Sequence, residues 1–339
     1  MDFLFLLFLG KPVWMWAAFL SIVVFLLVLD LGVLNRKPKA IGIKESLWMS
    51  AFYIAAGLLF GLWVWHSLGS QPATEYITGF LVEKTLALDN IFVISLIFTY
   101  FAVPPALQHR VLFWGILGVI VLRAIMIGLG AALVSEFSWV LYIFAAFLIA
   151  TGVKMLFMTD HGPDIANNPM IGFMRRNMRL TTELHGQRFF VQKPDASGRV
   201  VTWATPLFAA LVMIEIVDLI FAVDSVPAIF AITTDPFVVY TSNIFAILGL
   251  RALFFALAAV IDRFAYLKQA LALVLVFIGS KIFVADALGL DKFPAWISLA
   301  VTFGLLAGGV VYSLWKTRKR GGNGTESGTV DERASVRST

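Results

Sequence analysis

The chain contains no cysteine, which excludes disulfides, thiolate redox chemistry and Cys-based metal sites. Charge is scarce too. Asp, Glu, Lys and Arg make up 14% of 339 residues, where a soluble domain carries about a quarter. Of the four histidines, His109, His161 and His185 fall in connections between apolar runs and His66 at the very end of one, so none is expected at the centre of a span. Any metal ion held inside those runs must then be held by carboxylate, amide, hydroxyl or backbone oxygen. Such donors suit Mg, Ca or Mn better than Cu or Zn. There is no nucleotide motif and no cofactor signature, so neither an enzyme nor a permanently bound cofactor is expected.

What the chain has in abundance is apolar surface: 60% hydrophobic residues and a mean hydropathy of +0.89. This is the composition of a polytopic membrane protein embedded in a lipid bilayer. The basic pI of about 9.4 does not point to nucleic acid, because nearly all the cations flank apolar spans, where they act as topology anchors. A span needs about 20 apolar residues. Nine segments qualify: 14–34, 45–67, 75–101, 111–133, 139–157, 206–232, 238–261, 267–287 and 294–315. An all-α fold of about nine transmembrane helices, a transporter domain over 14–315, is the expectation. Residues 1–13 are apolar but lack a basic n-region, and read as an interfacial segment rather than a cleaved signal.

Lysine and arginine fall almost entirely on one side of these spans. The connections 35–44, 102–110, 158–205 and 262–268, with the tail, carry nineteen, and the alternate set carries only Lys11 and Lys292. That places the N-terminus outside and the C-terminus in the cytoplasm. The long cytoplasmic loop 158–205 opens with the turn-rich Asp160-His161-Gly-Pro-Asp164, an ordinary polar turn, and with Asn167-Asn-Pro169. A basic stretch from Arg175 to Arg179 follows. Arg188-Phe-Phe-Val-Gln and Arg199-Val-Val-Thr-Trp203 then flank Pro-Asp-Ala-Ser-Gly198, which predicts a small β-hairpin. The tail 316–339 is rich in Gly, Ser and charge and should be disordered.

Two of the spans carry acids six residues apart at their centre: Glu83 and Asp89, with Asn90 beside the second, then Asp218 and Asp224, with Ser225 beside the second. Ionised carboxylates inside a bilayer need a counter-charge, a cation or water. The acids are followed by Arg123 and Lys154 in the first half and by Arg251 and Lys281 in the second, the Arg-to-Lys spacing being 31 and 30 residues. These elements define repeat one, 75–157, and repeat two, 206–287, which enter the membrane from opposite sides. Two inverted three-helix repeats with a site at their interface are a recurring transporter architecture.

Six residues on a straight helix advance about 9 Å and turn 600°. Glu83 and Asp89 therefore cannot clasp one ion from an unbroken helix. Either ligands meet across the repeat axis or the helices unwind. Pro227 favours local breakage of the sixth span and frees the backbone carbonyl of Val223, a possible extra ligand. One site built from Asp89, Asn90, Asp224 and Ser225 is expected. Glu83, Glu215 and Asp218 are further candidates, as ligands, proton carriers, gates or partners of Arg and Lys. Asp30 reads as an interfacial or paired acid, and Asn243 as a helix–helix hydrogen bond or a ligand. Arg123, Lys154, Arg251 and Lys281 would balance the acids in an empty site. Lys84 would pair locally or reach a wet cavity.

These motifs resemble the TerC family of bacterial membrane proteins, most closely its Alx-like members. The resemblance is carried by Glu83-Lys-Thr-Leu-Ala-Leu-Asp-Asn-Ile-Phe92, Glu215-Ile-Val-Asp-Leu-Ile-Phe-Ala-Val-Asp-Ser-Val-Pro-Ala228, Thr241-Ser-Asn-Ile-Phe-Ala-Ile-Leu-Gly-Leu-Arg-Ala252 and Thr205-Pro206. It implies an inner-membrane protein of the LysE-like transporter superfamily. It further implies association with tellurium resistance, manganese export and alkaline response. The family's intramembrane acids correspond to Glu83, Asp89, Glu215, Asp218 and Asp224. The expected function is export of Mn²⁺, the transported ion and cargo of a proton-coupled alternating-access cycle. The alternative is a non-transporting organiser of partners through the cytoplasmic loop.

Overall fold

The structure, a computed structural model of the chain, describes residues 2–30, 42–157, 176, 178–181, 183–194, 198–257, 267–290 and 293–323. The cations of connection 31–41, the turn Asp160-His161-Asp164, the segment 167–169, Arg175 and the tail from 324 lie outside the described residues.

A short 3₁₀ turn (Asp2–Phe5) and a two-stranded hairpin, β1 (Leu7–Phe8) and β2 (Lys11–Pro12), precede the first helix. The helices are α1 (Val13–Leu29), α2 (Ile43–Leu68), α3 (Ser70–Tyr100), α4 (Pro105–Glu136) and α5 (Val140–Phe157). The expected hairpin follows as β3 (Phe190–Pro194) and β4 (Val200–Ala204), paired antiparallel with Lys193 opposite Val201. Then come α6 (Pro206–Ile232), α7 (Pro236–Leu248), α8 (Leu250–Leu257), α9 (Leu267–Ala287) and α10 (Ala295–Asn323). Proline sets three of the starts: Pro105, Pro206 and Pro236 occupy the first turns of α4, α6 and α7, where the missing N–H would have had no helical partner. Asp235 caps α7 by accepting from the Phe237 amide at 3.0 Å, and its other oxygen meets Lys11 at 2.9 Å. The N-terminal hairpin is thereby tied to that helix end.

Six described helices are long and apolar enough to cross a membrane, and a seventh span forms if α7 and α8 count as one helix bent by 41°. Two of the nine expected spans fall outside that number for different reasons. The described part of α1 has 17 residues. α3 has ample length at 31 residues, but any 18-residue stretch of it holds Glu83, Lys84 and either Glu75 or Asp89. α10 also overruns its expected end, reaching Asn323, because Lys316 to Arg320 are good helix formers and no breaker precedes Gly321.

The helices are sorted by exposure in the manner of a membrane bundle. On α4, Val121, Ile125, Leu129 and Leu133 form an exposed apolar stripe four residues apart, while Val119, Arg123, Ile127, Gly130 and Val134 are buried. Both faces are apolar, and the charge sits on the inner one, the reverse of a soluble helix. Glycine lets helices approach closely at α5 and α9, the most extensive helix contact described. A methyl group at Gly152 would lie 2.7 Å from the Ala272 carbonyl oxygen, and one at Gly279 would lie 2.6 Å from that of Ala145. Each glycine faces the alanine seven residues before the other, so the two helices run antiparallel with a reciprocal contact. A second core of Phe19, Phe60, Tyr76, Phe237 and Phe245 joins α1, α2, α3 and α7, with the Phe60 and Phe245 rings 4.6 Å apart.

The expected breakage at Pro227 is not where the chain breaks. α6 runs through Pro227 from Pro206 to Ile232, and the described interruption is at Gly249, between α7 and α8. Neighbouring helices can support a proline inside a membrane helix. At Gly249 the contacts are tighter, since a methyl group there would lie 2.8 Å from Tyr53 Cβ and 2.9 Å from Lys84 Nζ.

Candidate functional site

Four helices place polar groups at one buried point. Arg123 of α4 is 2% exposed and forms ion pairs with Glu83 of α3 and Asp218 of α6. It grips Asp218 with two donors, Nε to Oδ2 at 3.2 Å and Nη2 to Oδ1 at 3.1 Å, the bidentate geometry at which guanidinium excels. Its Nη1 donates to Glu83, to the Ser225 hydroxyl at 3.0 Å and to Asn243 Oδ1 of α7 at 3.5 Å. The two amides finish the ring: Asn90 Nδ2 donates to Asp218 Oδ1 at 3.2 Å, and Asn243 Nδ2 donates to Glu83 Oε2 at 3.0 Å. Two carboxylates and one guanidinium leave these described groups one formal negative charge in excess.

Helix geometry explains the membership. Glu83 and Asn90 are seven residues apart, as are Asp218 and Ser225, and seven residues are about two turns, returning the side chain to within about 20° of the same face. The acids spaced by six diverge instead. Asp224 turns away from the ring toward α5, where Thr151 Oγ1 donates to it at 3.3 Å and the charge of Lys154 acts on it. The side chain of Asp89 lies outside the described residues. Of the four expected to form one site, Asn90 and Ser225 thus meet, together with Glu83, Asp218 and Asn243, and Asp224 stands apart. Among the described residues no three Asp, Glu, His or Cys side chains cluster. The donors at the ring are two carboxylates, two amides and a hydroxyl.

The remaining candidates are distributed around this ring. Glu215, one helical turn from Asp218 on α6, rests against Gly118 of α4, where a methyl group would lie 2.0 Å from its Oε1. Its Oε2 is buried without a hydrogen-bond partner among the described residues. Arg251 at the start of α8 pairs with Asp30 at the end of α1. Val223 is exposed on α6, its carbonyl deprived of a helical donor by Pro227. Lys281 donates to the Ser298 hydroxyl at 3.1 Å. With Glu75, Thr78, Thr233 and Asp286 it lines a cavity of about 400 Å³ between α3, α6, α9 and α10. On the other side of the ring, Asn90 and Asp218 border a void of about 10 Å³ closed by Ile94, Leu112, Ile116, Ile214 and Leu250.

Lys84 has a role that the sequence pattern did not disclose. Its Nζ donates to the Ala246 carbonyl at 2.9 Å, in the last turn of α7 just before the bend. A cation at a helix C-terminus satisfies an orphan carbonyl and complements the helix dipole. Lys84→Met should therefore lower stability by up to about 2 kcal/mol, read as a fall in melting temperature of the detergent-solubilised protein. An unchanged melting temperature would show that the bend holds without the lysine.

An all-helical membrane bundle with a charged ring at its centre is the class these features define. The family model described as "Integral membrane protein TerC family" matches residues 68–321, and the chain belongs to that family. A membrane protein of Rickettsia bellii described as uncharacterized is 49% identical over 299 residues, 88% of this chain and 96% of that one. Proteins named "Putative membrane-bound redox modulator Alx" are similar as well. The one from Salmonella typhi is 44% identical over 320 residues, 92% of this chain and 97% of its own, and the one from Escherichia coli is 42% identical over 326 residues, 92% and 99%. No solved structure matches.

Proposed function

We propose that the protein exports divalent cations, Mn²⁺ foremost, across the bacterial inner membrane by alternating access, in exchange for protons. The observation that carries this reading is the buried ring of Glu83, Asp218, Asn90, Ser225 and Asn243, a set of hard oxygen donors drawn from three helices at the middle of the bundle. Intramembrane carboxylates of this kind mark ion pathways, and their oxygens suit Mn²⁺, Mg²⁺ or Ca²⁺. Asp89 precedes Asn90 on α3 and Asp224 precedes Ser225 on α6, and both are read as further acids on the ion's path. With the Lys- and Arg-rich connections read as cytoplasmic, the 400 Å³ cavity would open to the outer side and the apolar closure around Ile94 and Ile116 would face the cytoplasm. The antiparallel reciprocity of Gly152 and Gly279 supports two inverted units rocking about the site. The chain has no thiol, so any redox role of the kind the Alx-named relatives' description suggests would run through the ion moved and not through disulfide exchange.

The test is transport by the reconstituted full chain in liposomes, comparing Mn²⁺, Mg²⁺ and Ca²⁺ with and without a pH gradient. Expected is Mn²⁺ movement that accelerates when protons can flow the opposite way, and its loss in Asp89→Asn and Asp224→Asn. Absence of transport for every cation would favour the organiser reading, in which deletion of the hairpin loop is harmful and neutral swaps of the acids are tolerated.

A further inference from the structure

We infer that Arg123 is a tethered cation occupying the ion site, and that a loaded metal displaces it by one turn of α6, from Asp218 to Glu215. This inference rests on the proposed cation transport and names a regulator of that same site.

The ring is arranged around a positive charge already present. Arg123 Nη1 lies among three oxygens, from Glu83, Ser225 and Asn243, while Nε and Nη2 take both oxygens of Asp218. A guanidinium has five N–H donors, and here each of its three nitrogens is engaged. A divalent ion bound by these oxygens and the guanidinium cannot both be present. Their positive charges would share a space enclosed by four helices, and like charges at such distances repel strongly in a low-dielectric interior. One donor has been left unused by the arginine. Asn90 Oδ1 is buried and accepts no hydrogen bond among the described residues, although its amide nitrogen holds Asp218. An orphaned oxygen at a site already crowded with acceptors is what a cation ligand looks like before the cation arrives.

A displaced guanidinium needs a second anion, because a buried unpaired charge is far more costly than a paired one. Glu215 is that anion. It sits three residues before Asp218 on the same face of α6, it presses on Gly118 of the helix that carries Arg123, and its Oε2 is buried without a partner among the described residues. Side chains on a helix lean toward its N-terminus, so Arg123 already leans toward the Gly118 end of α4. The exchange leaves Glu83 and Asp218 to neutralise a divalent ion and Glu215 to neutralise Arg123. Charge is then balanced in the loaded state. In the empty state the arginine returns to the ring, which lets an unloaded carrier reorient without exposing two bare carboxylates.

The experiment measures Mn²⁺ affinity by calorimetry on the purified full chain in detergent, with Mn²⁺ efflux from proteoliposomes measured in parallel. Arg123→Gln should bind Mn²⁺ at least about fivefold more tightly than wild type, the low end of coupling between linked sites, and should lose net efflux. Arg123→Lys keeps the charge and loses the bidentate grip, so it should tighten binding to a lesser degree; it serves if the glutamine variant does not fold. Glu215→Gln should weaken binding, and should have no further effect in an Arg123→Gln background, as a cycle of coupled residues requires. Wild-type or weaker affinity in both arginine variants, or an equal effect of Glu215→Gln in either background, overturns the displacement. Failure of wild type to bind or move any cation would instead overturn the transport reading on which it rests.

Discussion

Glu83→Gln and Asp218→Asn are each expected to abolish cation efflux while the protein remains folded in the membrane with a melting temperature near that of wild type. The reason lies in the charge count of the ring. Wild type buries two carboxylates against one guanidinium. Neutralising either acid leaves a balanced pair, and the one amide oxygen still accepts from Arg123, with Asp218→Asn giving up one of the two bonds of the bidentate grip. Stability should accordingly change by less than about 1–2 kcal/mol, whereas removing the arginine, which strands two carboxylates, should cost about 3–5 kcal/mol. Function is affected in the opposite sense. A divalent ion facing a single carboxylate and a displaced arginine is no longer neutralised, and the desolvation of its second charge is left uncompensated. The measurement pairs Mn²⁺ efflux from everted vesicles with thermal melts of the same preparations. Wild-type efflux in either acid variant would remove the ring from the transport path. A collapse in stability without loss of specific activity would make it a scaffold for four helices.

The contrast between spacings of six and seven shows what the sequence disclosed and what it did not. Acids are conspicuous in an apolar helix, so Glu83, Asp89, Asp218 and Asp224 are found by their chemistry, and the Arg and Lys that follow them, 31 residues apart in one half and 30 in the other, are found by counting. The spans and the hairpin from Phe190 to Ala204 follow from hydropathy and turn residues. Direction around a helix was also available: Asn90 and Ser225 fall two turns after Glu83 and Asp218, and that shared offset of seven is the signal that would have placed them with those acids. Counting from acid to acid instead put Asp224 in the ring, whereas it faces Thr151.

Other features have no local signature. Lys84 meets a carbonyl 162 residues away, and Asp30 meets Arg251 across 221 residues. Such pairings are fixed by which helices become neighbours, and an apolar membrane helix gives little sign of its neighbours because every face is apolar. The break at Gly249 belongs to the same group. Pro227 removes a hydrogen bond by covalent structure, yet α6 continues through it, while Gly249 leaves room for Tyr53 and Lys84 that no side chain could share.

Gly152→Leu and Gly279→Leu should each disable transport with every acid in place, and the two should resemble one another closely. At both positions the nearest obstruction is a backbone carbonyl, of Ala272 at 2.7 Å and of Ala145 at 2.6 Å, which no rotamer change can move aside. A side chain there must drive α5 and α9 apart, with an overpacking cost of about 1–3 kcal/mol or more. The consequence for function follows from what the two helices carry. Thr151, beside Gly152, holds Asp224, and Lys281, two residues beyond Gly279, lines the 400 Å³ cavity. Separating the helices shifts both at once. Because each glycine faces the other's helix at matched positions, the two leucine variants should lose similar amounts of stability, agreeing to within about 0.5 kcal/mol. The double variant should lose less than the sum, since a seam already opened at one point resists less at the other. Thermal melts of the two single variants and the double variant give the stabilities, and proteoliposome efflux gives the activity. A stable and active Gly152→Leu protein would show that the close approach of α5 and α9 is dispensable. Strongly unequal losses at the two glycines would count against the inverted relation of the two halves, because an axis that relates the halves must relate the costs of disturbing them.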